Sequence, residues 1–204
     1  EISKEMEANG KTIYKFGFGQ SPFPVPGNIV NKLKENAHQK DYLPAKGLLN
    51  LRKSIAKYLT KKKYSNFAEN NIIVGPGTKE LMFLLQICFD GDLILPAPSW
   101  VSYAPQSIIA KNKLHWIQTT ADTKWHVTAD QIEEISKKIE SKNKLIILNS
   151  PNNPSGTNTK NLKELAEVFK KYNYTVLSDE IYSDLHFGNE FHSIAHYYPN
   201  TIIS

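Results

Sequence analysis

The chain has 204 residues, 40% of them hydrophobic and 22% charged, with a formal net charge of +5. That length suffices for one large domain with a sizeable core, and the sequence contains neither an apolar run long enough to span a bilayer nor a signal-peptide pattern. A lone cysteine, Cys88, argues against a disulfide framework or a cysteine metal site and leads us to expect a reducing, cytoplasmic setting. The 25 basic residues include a single arginine, Arg52; nucleic-acid readers lean on arginine for bidentate contacts, so we expect no nucleic-acid partner and no membrane partner.

In chain order, residues 1–25 read as an arm that ends in a Pro-rich loop, and residues 26–204 as part of one large domain without an internal boundary. Val25 to Asn36 has the pattern of a short amphipathic helix. Leu48 to Lys62 shows an apolar stripe at Leu48, Leu51, Ile55, Tyr58 and Leu59, and the run Lys61–Lys62–Lys63 closes that helix, where cations complement its dipole. Ile72–Ile73–Val74 reads as a short strand ending in Gly75–Pro76–Gly77, after which Thr78 is expected to cap a helix reaching Phe89. Asp92 to Leu95 is a strand stopped by Pro96 and Pro98, and a helix from Trp100 to Ala110 precedes a strand at Leu114 to Ile117. Thr128 opens a helix to about Ser141. Strand Leu145 to Leu148, helix Asn161 to Tyr172, strand Thr175 to Leu177 and a final strand at Ile202–Ile203 complete the order. Strands alternating with helices call for a mostly parallel α/β sheet sandwiched by helices.

Three stretches carry chemistry at the carboxyl ends of these strands, the edge where open α/β sheets bind ligands. Gly75–Pro76–Gly77–Thr78–Lys79 places glycines before a helix start, whose free amides suit a phosphate on Gly77, Thr78 and Lys79; both GxxxxGK[ST] and GxGxxG are absent, and a tight turn explains the glycines equally well. Trp100, in Pro98–Ser99–Trp100–Val101–Ser102–Tyr103, can stack on a flat ring or pack in the core. Asn153, Asp179 and Tyr182 bring an amide, a carboxylate and a phenol to neighbouring strand ends. They suit a heteroaromatic ring with a nitrogen and a phenolic oxygen, as in pyridoxal phosphate. Asp179 would face the ring nitrogen and keep it protonated, while Asn153 and Tyr182 would hold the oxygen; alternatively, Asp179–Glu180 is the acidic start of a helix. Tyr42 lies in an exposed Pro-rich segment from which a phenol can reach a phosphate or pack on the surface. Six histidines, His38, His115, His126, His186, His192 and His196, lack metal-ligand spacing, so no metal site is expected. No GxSxG elbow occurs.

Taken together, these stretches resemble the class I/II aminotransferases, fold-type I enzymes dependent on pyridoxal phosphate. Gly19–Gln20–Ser21–Pro22–Phe23–Pro24–Val25–Pro26 is similar to the family's Gly-x-Pro-Asp-Phe-x-x-Pro loop, with Ser21–Pro22 in place of Pro-Asp. Tyr42, Gly47, Leu51 and Arg52 match Tyr-x-x-x-x-Gly-x-x-x-Leu-Arg, and Pro98–Tyr103 matches Pro-x-Trp-x-x-Tyr. The strongest signatures are Ser150–Pro151–Asn152–Asn153–Pro154–Ser155–Gly156, with Ser155 for the usual Thr, and Ser178–Asp179–Glu180–Ile181–Tyr182.

The resemblance implies the large domain of a fold-type I enzyme that moves an amino group from an amino acid to a 2-oxo acid. Gly77, Thr78 and Lys79 would bind the cofactor phosphate, Trp100 would stack on the ring, Asn153 and Tyr182 would hold the phenolic oxygen, and Asp179 the ring nitrogen. Tyr42 would reach the phosphate of the other subunit of a homodimer, and Gly19 would lie near the substrate carboxylate. The family's Schiff-base lysine falls just beyond the stretch matching Thr201 to Ser204, and its substrate-carboxylate arginine lies further on. We therefore expect a piece of a longer protein, with the small domain and the C-terminal part of the large domain outside it, and no activity from the piece alone. Two other expectations share the ring-binding residues: a carbon–sulfur lyase or other fold-type I enzyme, and the aminotransferase-like effector domain of a transcription regulator.

Overall fold

The computed structural model describes residues 1–14, 19, 21, 23–62, 67–185 and 191–204. Gln20 and Pro22 of the N-terminal loop motif, Lys63 of the lysine run and His186 lie outside the described residues. The chain divides into two units, Glu1–Tyr42 and Leu43–Ser204. The first contains helices α1 (Ile2–Ala8) and α2 (Gly27–Asn36), and neither buries a residue. Helix α1 falls where the sequence suggested only an arm, and α2 begins after Pro26, which sits at its N-cap.

The second unit contains helices α3 (Leu49–Lys61), α4 (Thr78–Cys88), α5 (Tyr103–Ala110), α6 (Ala129–Ser136) and α7 (Leu162–Lys171). Its strands are β1 (Asp92–Ala97), β2 (Lys113–Gln118), β3 (Lys144–Asn149), β4 (Tyr174–Asp179) and β5 (Thr201–Ile203). They form one sheet in the order β2-β1-β3-β4-β5, with every neighbouring pair parallel. All six residues of β3 are buried, as expected for the centre of a sheet covered on both faces.

The period-2 alternation of strands sorts the core into two layers. Ile94, Ile146, Leu148 and Val176 join Ile132 of α6 and Leu165 and Phe169 of α7 on one face. Leu93, Leu95, Leu145, Ile147 and Leu177 join Met82 of α4 and Tyr103 of α5 on the other. Fully burying each such side chain contributes about 1.5–3 kcal/mol. Asp179 has the same parity as Leu177, so it projects from the α4/α5 face at the carboxyl end of β4.

Several sequence expectations need correction. Ile72–Val74 is not a strand of this sheet: Ile72 is extended (φ −106°, ψ 132°), but the Val74 N–H bonds the Lys46 carbonyl. Strand β1 does not stop at Leu95 but runs through Pro96. Ala97 turns its carbonyl to Thr119 beyond β2, so the Pro96 nitrogen faces the other side, where pairing with β3 has ended at Ile94–Ile146. No ladder bond is lost there. In α3 the stripe is rotated by one residue: Arg52 and Ala56 are buried, whereas Leu51 and Tyr58 are exposed. The Arg52 guanidinium satisfies the carbonyls of Gly47 (3.2 Å) and Glu69 (2.8 Å), which draws that face inward. Helix α6 ends at Ser136 rather than Ser141, and Ile139 beyond it turns into the core. Its start matches expectation: Thr128 and Gln131 form a capping box.

The strand order reverses between β1 and β3, because β1 continues to β2 on one side and β3 to β4 on the other. Such a switch point opens a crevice at the carboxyl ends of the strands. No helix among the described residues is long and apolar enough to cross a membrane.

Candidate functional site

A cleft of about 140 Å³ lies at that switch point, lined among others by Thr78, Trp100, Tyr103, Asn149, Asn153, Asp179 and Tyr182. Four elements supply these residues. Thr78 is the first residue of α4; Trp100 and Tyr103 follow β1; Asn149 and Asn153 end and follow β3; Asp179 and Tyr182 end and follow β4. Five residues singled out from the sequence are thus brought together: Thr78, Trp100, Asn153, Asp179 and Tyr182.

Asp179 is 4% exposed. Its Oδ2 accepts from the Tyr103 hydroxyl at 2.5 Å and its Oδ1 from the Ile181 amide at 3.3 Å. Burial raises the Asp179 carboxyl above the usual carboxylate range, and the two donors oppose that rise. Burial also pushes the Tyr103 phenol far up, and the adjacent Asp179 carboxylate pushes it further, so Tyr103 remains a donor. The Asn153 amide donates to the Tyr182 hydroxyl at 3.4 Å, which sets the amide and phenol side by side. No helix follows Asp179–Glu180; a turn does, and Glu180 is buried with Ser178 and Ser193 hydroxyls donating to it at 2.7 and 2.5 Å.

The loop after β3 shows why the Asn-Pro-Ser-Gly sequence shapes this edge. The Asn152 side chain accepts from the Ser155 amide (3.1 Å) and hydroxyl (2.8 Å), and its carbonyl accepts from Gly156, whose φ of +70° favours glycine. Ser155 thus closes the turn through both its amide and its hydroxyl.

Gly77, not Thr78, is the N-cap of α4, and no side-chain cap bond is made. The amides of Thr78 and Lys79 belong to the first turn, where a helix has no internal acceptors for them. A Cβ added at Gly77 would meet nothing within 4 Å, so the space before the helix is open. The Lys79 ammonium stands 5.5 Å from the centre of the Trp100 ring. Trp100 lies in the turn before α5 rather than in the helix, with its ring edge-on to Tyr103 at 5.4 Å.

Tyr42 and Gly19 belong to the first unit and are exposed. Among the described residues no group of His, Cys, Asp and Glu could hold a metal. His115 instead pairs with Asp92 at 2.6 Å, at the amino end of β1.

Two polar lining residues escaped the sequence reading. Tyr103 closes the Pro-x-Trp-x-x-Tyr motif, and its spacing of three from Trp100 was the available signal. Asn149 ends an apolar strand: its amide donates to the Asp179 carbonyl at 3.0 Å and its oxygen accepts from the Asn153 amide at 2.6 Å. A polar residue closing an apolar strand was the only hint.

Comparison with known proteins agrees with this architecture. Residues 11–204 match the family model described as aminotransferase class I and II. The chain is 33% identical over 201 residues to an aspartate aminotransferase of Bacillus sp. strain YM-2, covering 95% of this chain and 50% of that protein. It is 32% identical over 208 residues to one of Geobacillus stearothermophilus, covering 98% and 52%. The solved aspartate aminotransferase of Thermotoga maritima superposes with a TM-score of 0.86 at 27% identity, covering 96% of this chain and 53% of that one. The chain spans about half the length of the curated relatives it matches.

Proposed function

The chain belongs to the class I and II aminotransferase family, and from that premise we propose that it forms the cofactor-binding part of a pyridoxal-phosphate-dependent aminotransferase moving an amino group between an amino acid and a 2-oxo acid. The observation that carries this reading is the meeting of a buried carboxylate, an amide–phenol pair and an indole in one cleft beside a helix N-terminus. This donor set fits the cofactor. Asp179, raised by burial, gains a cationic partner in a protonated pyridine nitrogen. Asn153 and Tyr182, 3.4 Å apart, stand close enough that both could donate to one phenolic oxygen. The open space at Gly77 and the first-turn amides of Thr78 and Lys79 suit a phosphate.

The cofactor, when bound, supplies the electron sink. The residues of this chain bind and orient it. Trp100 covers the ring, Asn153 and Tyr182 set its tilt, and Asp179 holds the proton on its nitrogen. By the family resemblance, Tyr42 would reach the phosphate of the partner subunit in a homodimer. Aspartate is the first amino donor to test, since the relatives at 33% and 32% identity are aspartate aminotransferases. The cytoplasm is the proposed setting, which suits a chain whose one cysteine is unpaired and exposed.

Titration of the 204-residue chain with pyridoxal phosphate tests the cleft. Saturable quenching of tryptophan fluorescence, weakened by Asp179→Ala and by Tyr182→Phe, is expected. No saturable binding, or binding indifferent to both substitutions, refutes the reading. The chain alone is expected to be inactive with aspartate and 2-oxoglutarate, and sustained transamination by it would overturn that part.

A further inference from the structure

Phosphate cradle and ring platform sit on different helices. The cradle is the start of α4, Gly77 to Lys79; the platform, Trp100, stands in the turn that opens α5. Between the two helices lie two buried glutamines, Gln86 of α4 (0% exposed) and Gln106 of α5 (8% exposed). The Gln106 amide donates to the Lys79 carbonyl at 2.9 Å, in the first turn of α4. The Gln86 amide donates to Gln106 Oε1 at 3.0 Å and to its own helix at Met82 O, 3.3 Å away. Gln86 Oε1 is buried with no hydrogen-bond partner. Burying two amides and leaving one oxygen unsatisfied is unfavourable compared with an apolar pair of similar volume.

We infer that the Gln86–Gln106 pair is a positioning device that sets the distance between the phosphate cradle and the ring platform, so that a ligand carrying both a ring and a phosphate is held at two points at once. Apolar side chains pack with little preference for register, whereas an amide aimed at a backbone carbonyl fixes one. Gln106 fixes α5 to the residue whose amide belongs to the cradle and whose ammonium stands over the platform ring. The far ends of the helices are joined separately: Asn112, just past α5, donates to the carbonyl of Phe89, the C-cap of α4, at 2.9 Å. Removing the Gln106 bond therefore frees the spacing at the site end while the helices stay attached.

This inference rests on the cofactor reading above, and its test separates the two. Binding of pyridoxal phosphate, pyridoxal and inorganic phosphate is measured on the 204-residue chain and on Gln106→Met, which keeps the volume and removes the donor. If the pair sets the spacing, Gln106→Met binds pyridoxal phosphate about tenfold more weakly, because two-point attachment is lost when geometry drifts. Pyridoxal and phosphate, each touching one half-site, stay within about twofold of the parent chain, since neither needs the spacing. Gln106→Glu, which leaves Gln86 an acceptor but turns an oxygen toward the Lys79 carbonyl, gives the same pattern and serves if the methionine variant does not fold. Unchanged affinity for pyridoxal phosphate overturns the inference, as does a parallel loss for all three ligands, which marks general support instead of spacing. A parent chain that prefers pyridoxal phosphate to neither simpler ligand sinks the cofactor reading itself, and the inference with it.

Discussion

The Tyr103 hydroxyl donates to Asp179 Oδ2 at 2.5 Å, and this bond joins the end of β4 to the start of α5 inside the core. It stabilises the charged form of an acid that burial otherwise pushes toward protonation. Tyr103→Phe keeps the ring against Trp100 and removes the donor. The variant is expected to lose about 1–3 kcal/mol at pH 8, where the carboxylate is left short of a partner. The loss shrinks near pH 4, where the carboxyl is protonated and needs the donor less. Urea unfolding at the two pH values checks this, and an equal loss at both would show that the hydroxyl acts on something other than the Asp179 charge.

Asp179 itself gives a pH dependence of defined sign. Its folded-state pKa lies above its unfolded value, so between those values the folded chain binds more protons than the unfolded one. Stability therefore falls as pH rises through the window above about 3.9 and stays lowered beyond it, by about 1.4 kcal/mol for each pKa unit of elevation. Asp179→Asn removes this slope. Its unfolding free energy is expected to be flatter than the parent's above pH 4 and higher at pH 7, while cofactor binding is weakened. A parent chain whose stability climbs through the same window, with a slope that the asparagine variant abolishes, would reverse the assignment.

Alternation and parity made most of the sheet legible, because Leu93, Leu95, Leu145 and Ile147 differ in face from Ile94, Ile146 and Leu148 by sequence position alone. Three cleft residues were legible because Asn153, Asp179 and Tyr182 are polar residues stranded at the ends of apolar runs. Ile72–Val74 was misread because its β-branched sequence carries strand propensity but says nothing about a partner, and among the described residues the sheet offers it none. The burial of Arg52 was not legible for the opposite reason. Its role comes from two carbonyls, Gly47 and Glu69, which are distant in sequence or hidden in backbone, so no side-chain pattern reveals it. Tyr103, Asn149, Gln86 and Gln106 act through tertiary hydrogen bonds, which leave only weak traces in local sequence.

Gly47 and Arg52 support the segment that leads to the start of α4. Gly47 has a φ of +91°, and a Cβ there would stand 2.7 Å from the Val74 Cβ. Gly47→Ala combines backbone strain with that clash and is expected to destabilise by about 1–3 kcal/mol. Arg52→Lys keeps the charge but cannot reproduce the two-pronged reach to Gly47 and Glu69, and should lose about 1–3 kcal/mol as well. Because Gly47 and Arg52 share the Gly47 carbonyl, the double variant should lose less than the sum of the two. Chemical denaturation of the three variants tests this, and strict additivity would show that the two residues act independently.

Asn149 couples the two strand ends that lead to Asn153, Asp179 and Tyr182 of the cleft. Its oxygen holds the Asn153 amide at 2.6 Å and its nitrogen the Asp179 carbonyl at 3.0 Å, with the side chain buried between β3 and β4. Asn149→Ala strands the Asn153 backbone amide, while the Asp179 carbonyl keeps the Ser150 N–H at 3.1 Å, and is expected to destabilise by about 1–3 kcal/mol. Asn149→Asp keeps the acceptor for Asn153 and loses the donor to Asp179, so the two substitutions separate the two bonds. Hydrogen exchange at the Asn153 amide distinguishes them: protection persists in the aspartate variant and is lost in the alanine variant. Both variants should weaken pyridoxal phosphate, the alanine one more, because it releases Asn153 as well as Asp179. If the Asn153 amide stays protected in Asn149→Ala, another group satisfies it, and Asn149 does not set the position of that side of the cleft.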